Sequence, residues 1–156
     1  LTYIGDGNNV ANSLMICGSL LGVNVRIATP KNFEPSNEIV QQAKSIANKT
    51  GTILEFTNSP EKAIKGAQSI YTDVWASMGQ EDEQEKRKEA FKDFCLTKEL
   101  LEIASSDAIV LHCLPAHRGE EITEEVMEGK SSVIFDQAEN RLHVQQALLA
   151  ALLGGL

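Results

Sequence analysis

The sequence predicts an α/β fold: a doubly wound, three-layer α/β/α arrangement around a mostly parallel, Rossmann-like sheet of five or six strands. Short apolar, β-branched runs recur along the chain and alternate with stretches of helical period. Helix start and stop signals fall between those runs, with Ser or Thr at the starts and Gly at the ends. Strands that alternate with helices pair in parallel through right-handed crossovers, which leaves few topologies. At 156 residues the chain has the length of one domain, read here as 1–156. A chain of this size buries about 68–70% of its unfolded surface, so it can form a core without disulfides or metals.

Residues 1–4 form the first expected strand, which runs into Gly5-Asp6-Gly7-Asn8-Asn9 and a helix over 10–21 stopped by Gly22. A strand from the first residue leads us to expect a piece of a longer polypeptide. Residues 23–28 are the second strand, ended by Thr29-Pro30. Ser36 caps a helix over 37–49, closed by Gly51. Residues 52–56 are the third strand. Ser59-Pro60-Glu61 is a cap followed by proline at the first helical position, and that short helix ends at Gly66. Residues 68–72 are the fourth strand.

The alternation then breaks. Residues 73–79 (Asp-Val-Trp-Ala-Ser-Met-Gly) precede a charged segment, 80–92, whose mixed acids and bases predict a solvated helix with i,i+4 pairs. A short helix over 97–105 leads to the fifth strand, 108–111. A brief helix capped at Thr123 follows, then a sixth strand over 132–135 and a terminal helix over 138–153. That last helix carries apolar residues on more than one face, so it needs cover on both sides.

The net charge is −8, with no cluster of Lys and Arg to neutralise phosphates, so nucleic acid is not an expected partner. No apolar run reaches the roughly 20 residues of a membrane span, and the first residues lack a signal-peptide pattern. Three widely spaced cysteines (Cys17, Cys95, Cys113) with no C-x-x-C fit a reducing cytoplasm.

The candidate chemistry concentrates in His112-Cys113-Leu114-Pro115-Ala116-His117-Arg118-Gly119, at the carboxyl end of the fifth strand. Ligands of open α/β sheets bind at that edge. Pro115 biases Leu114 away from helix. The spacing of His112, Cys113 and His117 matches no usual zinc site, and no metal or cofactor is expected. Gly5-Asp6-Gly7-Asn8-Asn9 lacks the third glycine of a dinucleotide fingerprint. It reads as a capped turn, or as a site for a small anionic or zwitterionic ligand. Asn9, Asp73, Cys113 and Arg141 should converge on one edge of the sheet. Cys17, Cys95 and Trp75 read as packing residues. These residues alone leave open an enzyme half-site, a stand-alone amino-acid-binding module or a nucleotide-binding Rossmann-like module.

Four strings narrow the choice: Gly5-Asp6-Gly7-Asn8-Asn9, Asp73-Val74-Trp75-Ala76-Ser77-Met78-Gly79, His112-Cys113-Leu114-Pro115 and Ala138-Glu139-Asn140-Arg141. In content and order they resemble the carboxyl-terminal, ornithine-binding domain of the ornithine carbamoyltransferases, over essentially the whole chain. That family moves a carbamoyl group from carbamoyl phosphate to the δ-amine of ornithine, giving citrulline and phosphate. The resemblance implies that Asn9, Asp73, Ser77 and Met78 hold ornithine. It implies that Cys113, the Leu114 backbone and Arg141 face the carbamoyl group, with Cys113, Asp73 and Arg141 as the catalytic set. The loop at 77–79 and its charged extension would correspond to a flap over the bound amino acid. The family's Ser-x-Arg-Thr-Arg and His-Pro-x-Gln strings for carbamoyl phosphate are absent from this sequence. The resemblance therefore implies a missing amino-terminal carbamoyl-phosphate domain, a parent enzyme that is commonly a homotrimer, and an isolated chain without activity.

Overall fold

The structure, a computed structural model, describes residues 1–76 and 84–154. Among these residues five strands form one parallel sheet: β1 (Thr2–Ile4), β2 (Val25–Ala28), β3 (Leu54–Thr57), β4 (Ser69–Thr72) and β5 (Ile109–His112). Their order across the sheet is β3-β2-β1-β4-β5. The chain winds outward from β1 to β3, then crosses back to lay β4 and β5 on the other side. The helices are α1 (Asn9–Leu20), α2 (Asn37–Thr50), α3 (Pro60–Ile64), α4 (Gln84–Phe91), α5 (Lys98–Leu101), α6 (Glu124–Met127) and α7 (Ile134–Leu152). This is the expected doubly wound class.

Local signals account for most helix ends. Asn8 caps α1 by accepting from the Val10 amide at 3.1 Å, and Ser36, Ser59 and Thr97 cap α2, α3 and α5 in the same way. Pro60 opens α3, where its missing N–H costs nothing. Gly51 ends α2 at φ 76°, the left-handed conformation that glycine adopts freely.

Alternation along each strand separates two cores. Tyr3, Val25 and Ile27 pack with Ala11, Met15 and Ala43 of α1 and α2. Ile4, Ala28, Ile70 and Val110 pack on the other face with Ile64 of α3, Leu100 of α5 and Val126 of α6. Trp75 fills that second core beside Phe91, ring centroids 5.8 Å apart.

Two expectations need correction. Residues 132–135 do not form a sixth strand. Val110 accepts from the Val133 amide and donates to the Ser131 carbonyl, which makes a single parallel bridge to Ser132. The chain then enters α7 at Ile134, four residues earlier than expected. A four-residue apolar run has too little periodicity to separate a strand from a buried first helical turn, and here the helix wins. The charged segment is not simply solvated either. Arg87 and Phe91 of α4 are buried, and its i,i+3 pair, Lys92–Glu89, lies on the exposed side.

No helix among the described residues is long and apolar enough to cross a membrane. On α7 the only buried residue is Ile134, while Leu142, Val144, Leu148, Leu149 and Leu152 are exposed.

Candidate functional site

In an open parallel sheet a crevice forms where the winding reverses, outside the carboxyl ends of the strands. Here the reversal lies between β1 and β4. The loop after β1 carries Asp6, Gly7 and Asn8; the loop after β4 carries Asp73. Gly7 lies so close to its neighbours that a Cβ there would stand 2.3 Å from the Pro35 nitrogen. The loop can take this path only without a side chain at that position.

Asp73 is the centre of the edge. It is buried, and Oδ1 accepts from its neighbour's amide, Val74 N, at 2.8 Å. The Cys113 thiol donates to the same oxygen at 2.9 Å. Asn8 Nδ2 reaches Oδ2 at 3.4 Å, so β1, β4 and β5 meet at one carboxylate. Burial pushes the Cys113 thiol up to about 12, and the adjoining Asp73 carboxylate adds to the shift by opposing a second negative charge. Cys113 is therefore a protonated donor at neutral pH. Tyr71, at the end of β4, is raised to about 12 by burial and by Cys113 beside it. Its hydroxyl accepts from Gln137 Nε2 of α7 at 2.9 Å.

The loop beyond β5 is built around His112. Its Nδ1 accepts from the Leu114 amide at 2.9 Å, so the ring proton sits on Nε2, 3.1 Å from Glu121 Oε1. Both side chains are fully buried. The same Glu121 oxygen accepts from the His117 amide at 2.6 Å, closing the loop on itself. Leu114 is held at φ 55°, and a cis peptide bond joins it to Pro115. With its N–H taken by His112, Leu114 has its carbonyl left to offer a ligand.

A third group braces the reversal point from α4. Arg87 Nη1 donates to Asp6 Oδ2 at 2.7 Å and to the Trp75 carbonyl at 2.9 Å. Its guanidinium lies 5.1 Å from the centre of the Phe33 ring. Burial raises the Asp6 pKa above its ordinary value, although Arg87 pulls in the other direction. Arg87 thus ties the loops after β1 and β4 to one cation.

The structure brings Asp73 and Cys113 into contact and leaves two expected residues apart from them. Asn9 is exposed at the start of α1, and the neighbouring Asn8 makes the contact with Asp73. Arg141 is exposed on α7, one helical turn beyond Gln137, and so on the same helix face as a residue that touches the site. Ser77 and Met78 lie outside the described residues. Sequence reading took Asn8 only as part of the Gly5-Asp6-Gly7-Asn8-Asn9 turn and passed over Tyr71, Arg87, Gln137 and Glu121. A signal existed for Arg87 alone: it stands four residues before Phe91, on one stripe of an otherwise charged helix. Among the described residues, the grouping close enough to share an ion is His117, Glu120 and Glu121. It excludes Cys113, and Glu120 is already paired with Lys88 at 3.0 Å.

Fold and edge together define an open α/β domain with a polar cluster at its winding reversal, built from an acid, an amide and a neutral thiol. Residues 1–152 match the family model described as the aspartate/ornithine carbamoyltransferase Asp/Orn-binding domain, and the chain belongs to that family. It is 64% identical over its full length to an ornithine carbamoyltransferase of Parasynechococcus marenigrum and 61% identical over 99% of its length to that of Trichormus variabilis. It covers 49% and 50% of those proteins, so the chain spans about half the length of the curated relatives it matches. Solved structures agree. Ornithine carbamoyltransferase from Pyrococcus furiosus superimposes with a TM-score of 0.93 at 51% identity, over 99% of this chain and 50% of that one. The anabolic enzyme from Campylobacter jejuni gives 0.94 at 40% identity, over 99% and 51%.

Proposed function

We propose that this chain is the ornithine-binding half of an ornithine carbamoyltransferase. The whole enzyme would transfer the carbamoyl group of carbamoyl phosphate to the δ-amine of ornithine, releasing citrulline and phosphate. The observation that carries this reading is the meeting of three strand ends at Asp73, with the Cys113 thiol at 2.9 Å and the Asn8 amide at 3.4 Å. An acid and an amide suit the ammonium and carboxylate of an amino acid. Asn9, Ser77 and Met78 complete the ornithine site in this reading, with the flap supplied by the segment at 77–79.

The chemistry divides between residues here and residues elsewhere. An alkyl ammonium titrates near 10.4, so presenting it neutral at about pH 7.5 costs roughly 4 kcal/mol. Removing water around the amine lowers that cost. The carboxylate of Asp73 favours the protonated amine, so its work is to hold and orient. Cys113, a neutral thiol, orients the nitrogen lone pair toward the carbamoyl carbon and need not attack it. Arg141 supplies a cation for the carbonyl oxygen, and the Leu114 backbone faces the carbamoyl group. Capture of the phosphate leaving group falls to the carbamoyl-phosphate domain, in a cytoplasmic enzyme assembled as a homotrimer.

Calorimetric titration of the 156-residue chain with ornithine should show weak, saturable binding, and a citrulline assay should show no turnover. Citrulline formed by this chain alone would overturn the half-site reading. Equal heats from ornithine and from a diamine without a carboxylate would overturn the choice of ligand.

A further inference from the structure

We propose that Gln137 is a positioning residue for Arg141: its side-chain amide stands in for a sixth strand at the open side of β5 and so fixes how α7 leaves the sheet. β5 is an edge strand, and its Ile109 amide is spent inward on the Gln68 carbonyl, next to β4. The backbone groups of Val110 and His112 face outward, where an edge needs cover. Val110 is covered by main chain: it donates to the Ser131 carbonyl at 2.8 Å and accepts from the Val133 amide at 3.0 Å. For His112 that cover has run out, because the chain turns into α7 at Ile134. Gln137 Oε1 takes its place and accepts from the His112 amide at 3.0 Å. The same side chain donates through Nε2 to the Tyr71 hydroxyl at 2.9 Å, which ties it to β4 as well. Two bonds of opposite sense, to two strands, leave the planar amide one orientation.

The consequence lies further along the helix. Among the described residues, Gln137 is the only one of α7 whose side chain hydrogen-bonds beyond the helix. Every residue from Glu139 to Leu149 is exposed, so that part of α7 overhangs the domain and takes its direction from its first turn. Ile134, buried in that turn, makes contacts without direction, whereas the two Gln137 bonds are directional. Arg141 stands four residues on, about 6 Å further along the axis and on the same stripe. A rotation of α7 about its axis would carry Arg141 away from the strand ends. The proposal rests on the ornithine reading only in naming the carbamoyl group as what Arg141 meets.

The test places nitroxides on Cys17 and on the thiol of Arg141→Cys, in a chain carrying Cys95→Ala and Cys113→Ser, and reads the distance between them by pulsed electron resonance. The distribution should be narrow with Gln137 in place and broaden with Gln137→Leu, which removes both bonds at similar size. Tyr71→Phe, which removes one bond, should fall between the two, and it carries the test if Gln137→Leu does not fold. Gln137→Glu should restore the narrow distribution, since a carboxylate accepts from the His112 amide and from the Tyr71 hydroxyl alike. A role in stability alone would lower the melting temperature and leave the width unchanged. Equal widths in every chain, or Gln137→Glu as broad as Gln137→Leu, would overturn the proposal. In the unlabelled chain Gln137→Leu should weaken citrulline about 3- to 10-fold, the worth of one hydrogen bond, and spare ornithine. That loss should vanish in an Arg141→Ala background; a loss that persists there would also overturn the proposal. Widths as expected with neither amino acid bound would support the placing of α7 and sink the ornithine reading instead.

Discussion

Asp73 and Leu148 stand for two regions built on opposite terms. Around buried Asp73, part-buried groups from the ends of β1 and β5 donate to its carboxylate, as does its neighbour's amide. Around Leu148, a helix of 19 residues holds one buried residue and turns five large aliphatic side chains to solvent. A polar cluster shielded from water depends on matched partners, and those of the Asp73 carboxylate come from residues of this chain. An apolar helix face is stable in water only when something covers it, and along α7 nothing among the described residues does. The Asp73 carboxylate thus draws its partners from within the chain, whereas the flank has no cover among the described residues. In the reading proposed above, the other half of a longer polypeptide provides that cover.

The sharpest way to break the comparison is to damage the polar region. Glu121→Ala strands both the His112 Nε2–H and the His117 amide in a buried setting, at about 1–3 kcal/mol for each unsatisfied group. Urea unfolding should show a loss of about 3 kcal/mol or more. Asp73→Ala should abolish the ornithine-dependent thermal shift, while Cys95→Ala should leave it intact; equal effects would show that Asp73 is not the centre of the site. An effect of pH comes next in size. Cys113 is raised from its ordinary value of 9.0 to about 12, so the folded state keeps a proton that the unfolded chain releases. Its contribution to stability is complete below about pH 9 and is lost as pH rises toward 12. Iodoacetamide at pH 8, read by mass spectrometry, should label exposed Cys17 well before Cys113 or Cys95, the last raised to about 11 by burial. The smallest effect belongs to the uncovered flank. Leu148→Glu with Leu152→Glu should change the stability of this chain by no more than about 0.5 kcal/mol per site. The same pair in a polypeptide that covers α7 should cost several times as much.

The class of fold was legible because periodicity, caps and glycine stops agreed with one another from β1 to β4. Legibility failed where one short run had to carry the decision, as at 132–135, where a bridge and a helix start share four residues. At the site, residue types were readable but partners were not. Asn8 and Asn9 are indistinguishable in the sequence, and cap geometry turns Asn8 toward Asp73. Arg87 left only the faint signal of its spacing to Phe91, because a charged helix reads as solvated until Asp6, 81 positions earlier, supplies a buried partner. Tyr71 and Gln137 are 66 residues apart and belong to no motif. Only the packing of α7 beside β5 makes them a pair.

The winding order has a bearing on how the protein comes to function at all. Asn8 and Asp73 are 65 residues apart, and Cys113 lies 40 further on. They become neighbours only when β4 inserts beside β1 and β5 closes the row. Pairing of β4 with β1 brings Asn8 to Asp73, and only β5 beside β4 adds Cys113. Recognition should accordingly become complete late in refolding, and a ligand added to the refolding mixture would meet all three groups only once both pairings had formed.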